Sequence, residues 1–252
     1  MSARAVKAKL EDILSFRALF LQEANFQIRY NACHERGWTD SYLLMIDDAE
    51  VGYASIKGRE RSSRDTVFEF FVIRPFRKQS GLLFRKLLSA SGATFIECQT
   101  NDLLLTSLLY HYAENIQADV ALFEDYAVTE HAIPNATVRH RRDHDHIFGH
   151  KVEPVGDYVL ALGSDIIATG GFMLHYNTPF ADLYMEVRDD CRERGFGSFL
   201  LQQLKKECYL GGRVPAARCN LHNNASRATL IKAGFRVCGF MLTGHIKTTA
   251  LE

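Results

Sequence analysis

The chain lacks an excess of charge of either sign. Thirty Lys and Arg balance thirty Asp and Glu over 252 residues, so bulk electrostatics gives no attraction to a nucleic-acid backbone or an anionic membrane. It also lacks paired cysteines. Cys33, Cys98, Cys191, Cys208, Cys219 and Cys238 stand apart, with no C-x-x-C among them. That pattern argues against a disulfide framework and for reduced thiols in a cytoplasmic protein. No apolar run reaches membrane-spanning length, and residues 1–14 have no apolar signal core. A G-x-x-x-x-G-K-[ST] phosphate loop is missing as well. What is there is an ordinary 47% hydrophobic composition, enough for one large core or two small ones.

The hydrophobic pattern runs through one series of elements twice. Apolar residues at Leu10, Ile13, Leu14, Leu21 and Ile28 predict a helix over 5–29. A hairpin follows at 41–46 and 51–56, then a strand at 67–73 rich in aromatic and β-branched residues, which predicts burial on both faces. A helix at 80–90, a strand at 94–98 and a leucine-rich helix at 102–113 complete the first pass. The second begins with a helix-like stretch at 120–132 and a polar, histidine-rich segment at 137–150. Strands at 158–162, 166–174 and 181–187 then lead to a helix at 197–210, whose buried face is Leu200, Leu201, Leu204 and Cys208. A strand at 216–221, a helix at 225–233 and a strand at 237–246 close the chain. The expected class is α/β (α+β) with mixed sheets, in two domains, 1–117 and 118–252.

The second pass carries an R-x-x-G-x-G turn, Arg192 to Gly197, between a strand and a helix. A helix start offers unpaired N–H groups and the positive end of the dipole, which suit an anion. Val187 and Arg192 lie five apart, as do Val72 and Arg77, at an offset of 115 positions. The first pass reads Arg77-Lys78-Gln79-Ser80-Gly81-Leu82, with one late glycine and no second. The expectation is that the second copy binds the anion and the first has lost the loop.

Three features together resemble the GNAT (GCN5-related N-acetyltransferase) superfamily. They are Val187, Arg192, Gly195 and Gly197 between strand and helix, Asn223 and Ser226 after the next strand, and Gly234-Phe235 before the last. The resemblance covers 158–246 well and 42–113 weakly. It implies two tandem GNAT-like domains, the first degenerate, and acetyl-CoA as co-substrate without a metal. By that resemblance Arg192, Glu193, Arg194, Gly195, Phe196, Gly197 and Ser198 hold the CoA pyrophosphate. The main chain of Val187 and Arg188, on a strand splayed by a bulge, binds pantetheine and polarises the thioester. Asn223 bonds the pantetheine or its neighbouring backbone, next to Ser226. The implied reaction is direct acetyl transfer to a primary amine of a small molecule in a ternary complex. Neither nucleic acid nor membrane is an expected partner, and the chain is either a pseudo-dimeric monomer or a homodimer.

The chemistry needs a proton acceptor for the amine and a donor for the leaving thiolate. Glu186 is the carboxylate beside the expected thioester and the candidate base, and it equally suits a structural ion pair. The family often places a tyrosine donor four residues after its Ala/Ser; here that position is Leu230. Tyr184 and Tyr209 are the stand-ins the chain offers. Two alternatives follow: a CoA-binding regulatory module without turnover, motivated by Leu230, and a metal-dependent hydrolase using His140, His144, His146 and His150 with Asp143 and Asp145. Those histidines share no single helix or strand face.

Overall fold

The computed structural model describes residues 2–23, 25–27, 31–174 and 176–248. Contacts divide it into two compact units. The first is built mainly from residues up to Asp119 together with those from Gly239 onward, the second from Val120–Cys238. The chain runs β1 (Ala3–Ala8), α1 (Leu10–Glu23), α2 (Asn31–Glu35), β2 (Thr39–Ile46), β3 (Ala49–Lys57), β4 (Thr66–Val72), α3 (Ser80–Ser91), β5 (Phe95–Gln99), α4 (Leu103–Tyr112) and β6 (Ala113–Asp125). It continues with β7 (Ala136–His140), β8 (Tyr158–Leu162), β9 (Asp165–Met173), β10 (Phe180–Val187), α5 (Phe196–Leu210), β11 (Val214–Asn220), α6 (Asn224–Lys232) and β12 (Phe235–Ile246).

In the first unit the strand order is β1-β2-β3-β4-β5-β12. Only β4–β5 is parallel, and it is held by just two register pairs, Thr66↔Phe95 and Val67↔Ile96. β4 is buried along its whole length. Phe70 and Val72 join a core with α3 and α4, while Phe71 joins another with Ile13 and Phe20 of α1. Its apolar run, interrupted only by the buried Glu69, is the signature of a strand covered on both faces. In the second unit the order is β6-β11-β10-β9-β8-β7, and again one pair is parallel, β10–β11. Helix α5 packs on this sheet through Leu200, Leu201, Leu204 and Cys208, all buried as their spacing predicts. Gly234, at φ +90°, closes α6; a Cβ there would lie 2.1 Å from the Ala127 carbonyl, so only glycine lets the chain turn into β12.

The same hydrogen bond braces both units. Arg77 Nε donates to the Val72 carbonyl at 3.1 Å, and Arg192 Nε to the Val187 carbonyl at 3.3 Å. α4 and α6 are capped alike, by Asp102 and Asn223 accepting from the N–H three residues on, at 3.1 and 3.0 Å. The packing differs. The offset of 115 sets Phe70 at the position of Met185, and Phe70, Phe84 and Tyr112 form a chain of rings with centroids 5.2 Å apart at each step. The same offset sets Val67 opposite Asp182 and Glu69 opposite Tyr184. Glu69 is fully buried among Arg17, His34 and Tyr53, and its charge partners hold its carboxyl far below the usual range against the desolvation that opposes them.

Three expectations change. The helix predicted over 5–29 begins only at Leu10, because Ala3–Ala8 pairs along its length with β2, and it ends at Glu23, with 25–27 outside any helix; positions 24 and 28–29 lie outside the described residues. The stretch 120–132 is not helical: it continues β6, and Val120–Glu124 pairs with β11. Finally, β12 does not stay with the second unit. Met241–His245 pairs with β5 and completes the first.

Candidate active site

β10 and β11 run side by side for three residues only, ending at Asp182↔Ala216. Past this point the strands part and open a cleft of about 110 Å³, lined by Met173, Asp182, Tyr184, Met185, Arg218 and Leu230 among others. Arg188 N–H is spent on the Ile167 carbonyl of β9 at 2.9 Å. In an antiparallel ladder neighbouring residues bond to opposite sides. The N–H groups of Met185 and Val187 therefore point toward the cleft, and that of Arg188 does not. The β9–β10 register runs unshifted from Asp182 to Val187, so the end of the parallel ladder opens this cleft, where a bulge was expected.

At the far end of β10 the turn approaches α5. Its first intrahelical bond is Phe199 N–H to the Gly195 carbonyl, at 3.1 Å, so the N–H groups of Phe196, Gly197 and Ser198 precede the ladder. Glu193 and Gly195 take positive φ, +61° and +84°. Ser198 Oγ donates back to Gly195 O at 2.9 Å. The arginines expected around the anion divide. Arg188 is held by Asp165 and Asp190. Arg192 braces the turn through Val187 O and Asp189. Arg194 lies over the Phe196 ring, 5.1 Å from its centroid. A cation the sequence did not flag is Lys232, at the end of α6: its Nζ sits 3.4 Å from where a Cβ on Gly195 would be.

The carboxylates are the main surprise. Glu186 is buried and accepts the backbone N–H of Lys151, Val152 and Glu153 at 2.9, 3.2 and 3.0 Å. Burial opposes its charge, but these three donors win and lower its pKa. A carboxylate so occupied is a poor proton acceptor and a good clamp. The clamped segment, 141–157, is further tied by a bidentate Arg139–Asp145 pair and by His150 between Glu153 O and Thr169 Oγ1. Glu186→Ala should lower stability by about 1–2 kcal/mol, because three part-buried backbone donors lose a charged acceptor. The checks are a lower Tm and faster proteolysis within 141–157. Glu186's folded pKa lies below its ordinary 4.5, so its contribution is present above that value and fades as pH falls through the folded pKa.

Two other carboxylates face the cleft. Asp182 is buried and, chiefly by desolvation, pushed up to about 6; Arg218 and Tyr176 pull the other way. Arg218 Nε lies 3.5 Å from its Oδ2, while Oδ1 makes no hydrogen bond of ordinary geometry. Glu153 is raised as well, by burial first and by Glu186 second. Tyr184 is half-buried and raised by burial, so its phenol stays protonated at neutral pH.

A family model described as FR47-like protein matches residues 173–241, from the end of β9 into β12. Among solved structures the chain is similar to a GNAT-family acetyltransferase from Colwellia psychrerythraea, with 13% identity, 98% of this chain and 100% of that one covered, and a TM-score of 0.74. The chain has the GNAT fold. It is also similar to a tandem GNAT protein from the clavulanic acid biosynthesis pathway (9% identity, 97% and 98% covered, TM-score 0.59). A third relative is a GCN5-related N-acetyltransferase from Sphaerobacter thermophilus (14%, 97% and 96%, 0.55). No curated protein matches.

Within this GNAT fold the remaining motif residues divide, Ser226 lining the cleft and Asn223 standing outside its lining. Asn223 is exposed, and its Oδ1 is spent capping α6. Ser226 and Leu230 line the cleft from α6, and Leu230 is buried in the core; a hydrocarbon therefore stands at the position where the resemblance led a phenol to be expected. The histidine-rich segment is engaged elsewhere. His140 lies 4.4 Å from the Tyr158 ring, His150 is hydrogen-bonded as above, and Asp145 is paired with Arg139. Among the described residues no three His, Cys, Asp or Glu converge in a metal-binding group. No described helix is long and apolar enough to cross a membrane.

Proposed function

We propose that the second unit transfers an acetyl group from acetyl-CoA to a primary amine of a small molecule, by direct attack in a ternary complex. The observation that carries this reading is the cleft between β10 and β11, with strand N–H groups at its edge and the open start of α5 beyond. The N–H groups of Phe196, Gly197 and Ser198, with Arg194 and Lys232 alongside, hold the pyrophosphate. The N–H groups of Met185 and Val187 receive the pantetheine and polarise the thioester carbonyl. Asp182 takes the proton from the incoming ammonium, and Glu186 holds the wall that faces it. The free amine attacks the carbonyl carbon, the C–N bond forms, and the C–S bond breaks as the intermediate collapses. Tyr184 gives its proton to the leaving thiolate and is reprotonated by the proton that the amide nitrogen loses, directly or through water.

In this proposal the first unit is a degenerate copy. Phe70, Phe84 and Tyr112 occupy its interior, Val67 replaces the acidic residue, and Glu69 is neutralised internally by Arg17. The six free cysteines fit a reducing cytoplasm, and one chain carrying both copies fits a monomer.

Leu230 favours one other reading, a CoA-binding module without turnover. Mixing the protein with acetyl-CoA and a panel of primary amines separates the two. Release of free thiol that depends on amine supports transfer. A rise in Tm with CoA and no thiol release on any amine supports the module.

A further inference from the structure

Glu153 has no role in the reading above, and its surroundings give it one. Its backbone is fixed from two sides, by Glu186 on its N–H and by His150 on its carbonyl. The side chain this presents lines the cleft beside Met173, Asp182 and Tyr184. Its carboxyl is half-buried, and among the described residues no ion pair forms to it. The nearby guanidinium of Arg218 is placed against Asp182. Burial without a cation partner is unfavourable for a carboxylate. A ligand cation removes that penalty on binding.

The charges lining the cleft are Glu153, Asp182 and Arg218, which leave one net negative charge. That is the complement of a single ammonium. An acceptor whose amine stands next to its own carboxylate would bring a second anion against two carboxylates whose one cation is already engaged, a like-charge contact that discriminates strongly. We propose that Glu153 is the acceptor-recognition residue, and that the acceptor is a monocationic primary amine with no anionic group on the carbon bearing it. This rests on the acetyl-transfer reading of the same cleft. Glu153 binds the ammonium, and Asp182 receives its proton.

The test is calorimetric titration of butylamine, and of norvaline, its α-carboxylated counterpart, into the protein saturated with CoA. Butylamine should bind at least tenfold more tightly than norvaline. Glu153→Gln should weaken butylamine about tenfold and shrink the gap between the two ligands, with CoA affinity unchanged. Equal binding of the two ligands, no binding of either, or a Glu153→Gln variant that binds butylamine as wild type does would overturn the proposal. Failure of the acetyl-transfer reading shows separately, as no amine-dependent release of free thiol from acetyl-CoA.

Discussion

Asp182→Asn should lower kcat by about 10²-fold or more, the ordinary contribution of a positioned acid–base group, while CoA still raises the Tm. The pH profile gives the sharper measurement. Asp182 is raised from 3.8 to about 6, so wild-type kcat/KM should climb as pH rises through about 6 and level off above it. The groups facing it are Arg218 and Tyr176, which favour its charge, and Glu153, which opposes it. In Asp182→Asn that limb should be absent. Stability moves the opposite way. With the folded pKa above the unfolded one, the group's stabilisation is fully present below about 4 and is lost as pH rises through about 6. The loss is roughly 3 kcal/mol. The Tm of Asp182→Asn should therefore gain on that of wild type between those values. A variant that keeps wild-type kcat and the same acidic limb removes Asp182 from the chemistry.

Gly195→Glu should abolish acetyl-CoA binding at ordinary concentrations, an affinity loss of 100-fold or more, with the fold intact. Three effects add. Gly195 sits at φ +84°, where a side chain costs about 1–2 kcal/mol. The new carboxylate would lie at the start of α5 and compete with the pyrophosphate for the same N–H groups. It would also meet Lys232, whose Nζ is 3.4 Å from the Cβ position, and take that cation from the ligand. Equilibrium dialysis with acetyl-CoA, beside a circular dichroism melt, separates lost binding from lost fold. Affinity within twofold of wild type would remove this turn as the CoA site.

How legible these features are in the sequence follows from the range of the forces involved. The turn from Val187 to Gly197 is legible because helix starts and glycine conformations are local. The apolar face of α5 and the buried run of β4 are legible because their periods are intrinsic to the elements. β1 is hidden: all of ARAVKA but Val6 are good helix formers, and six pairings with β2 decide its state. β6 is hidden by shortness, since a brief apolar run such as Val120–Phe123 suits either a strand or a buried helix. Glu186 is conspicuous as the carboxylate next to the motif, yet its partners lie some 35 positions away. Asp182 and Glu153 are inconspicuous because their properties come from burial and from Arg218, which no local pattern encodes. The first unit shows the same rule from the other side. Its Val–Arg brace survives at the offset of 115, while the cleft positions have changed, Asp182 to Val67, Tyr184 to Glu69 and Met185 to Phe70.

The allocation of residues 239–246 bears on the order in which the molecule is made. During synthesis β5 emerges long before Met241–His245, the segment that bonds to it. Until then β5 is an open edge, a template for any passing strand. The first half of the chain is thus finished last, and it must wait through the synthesis of the whole second half. A fragment ending near Asp119 would carry that open edge permanently, and moving 239–246 to follow α4 by circular permutation would supply the missing strand early.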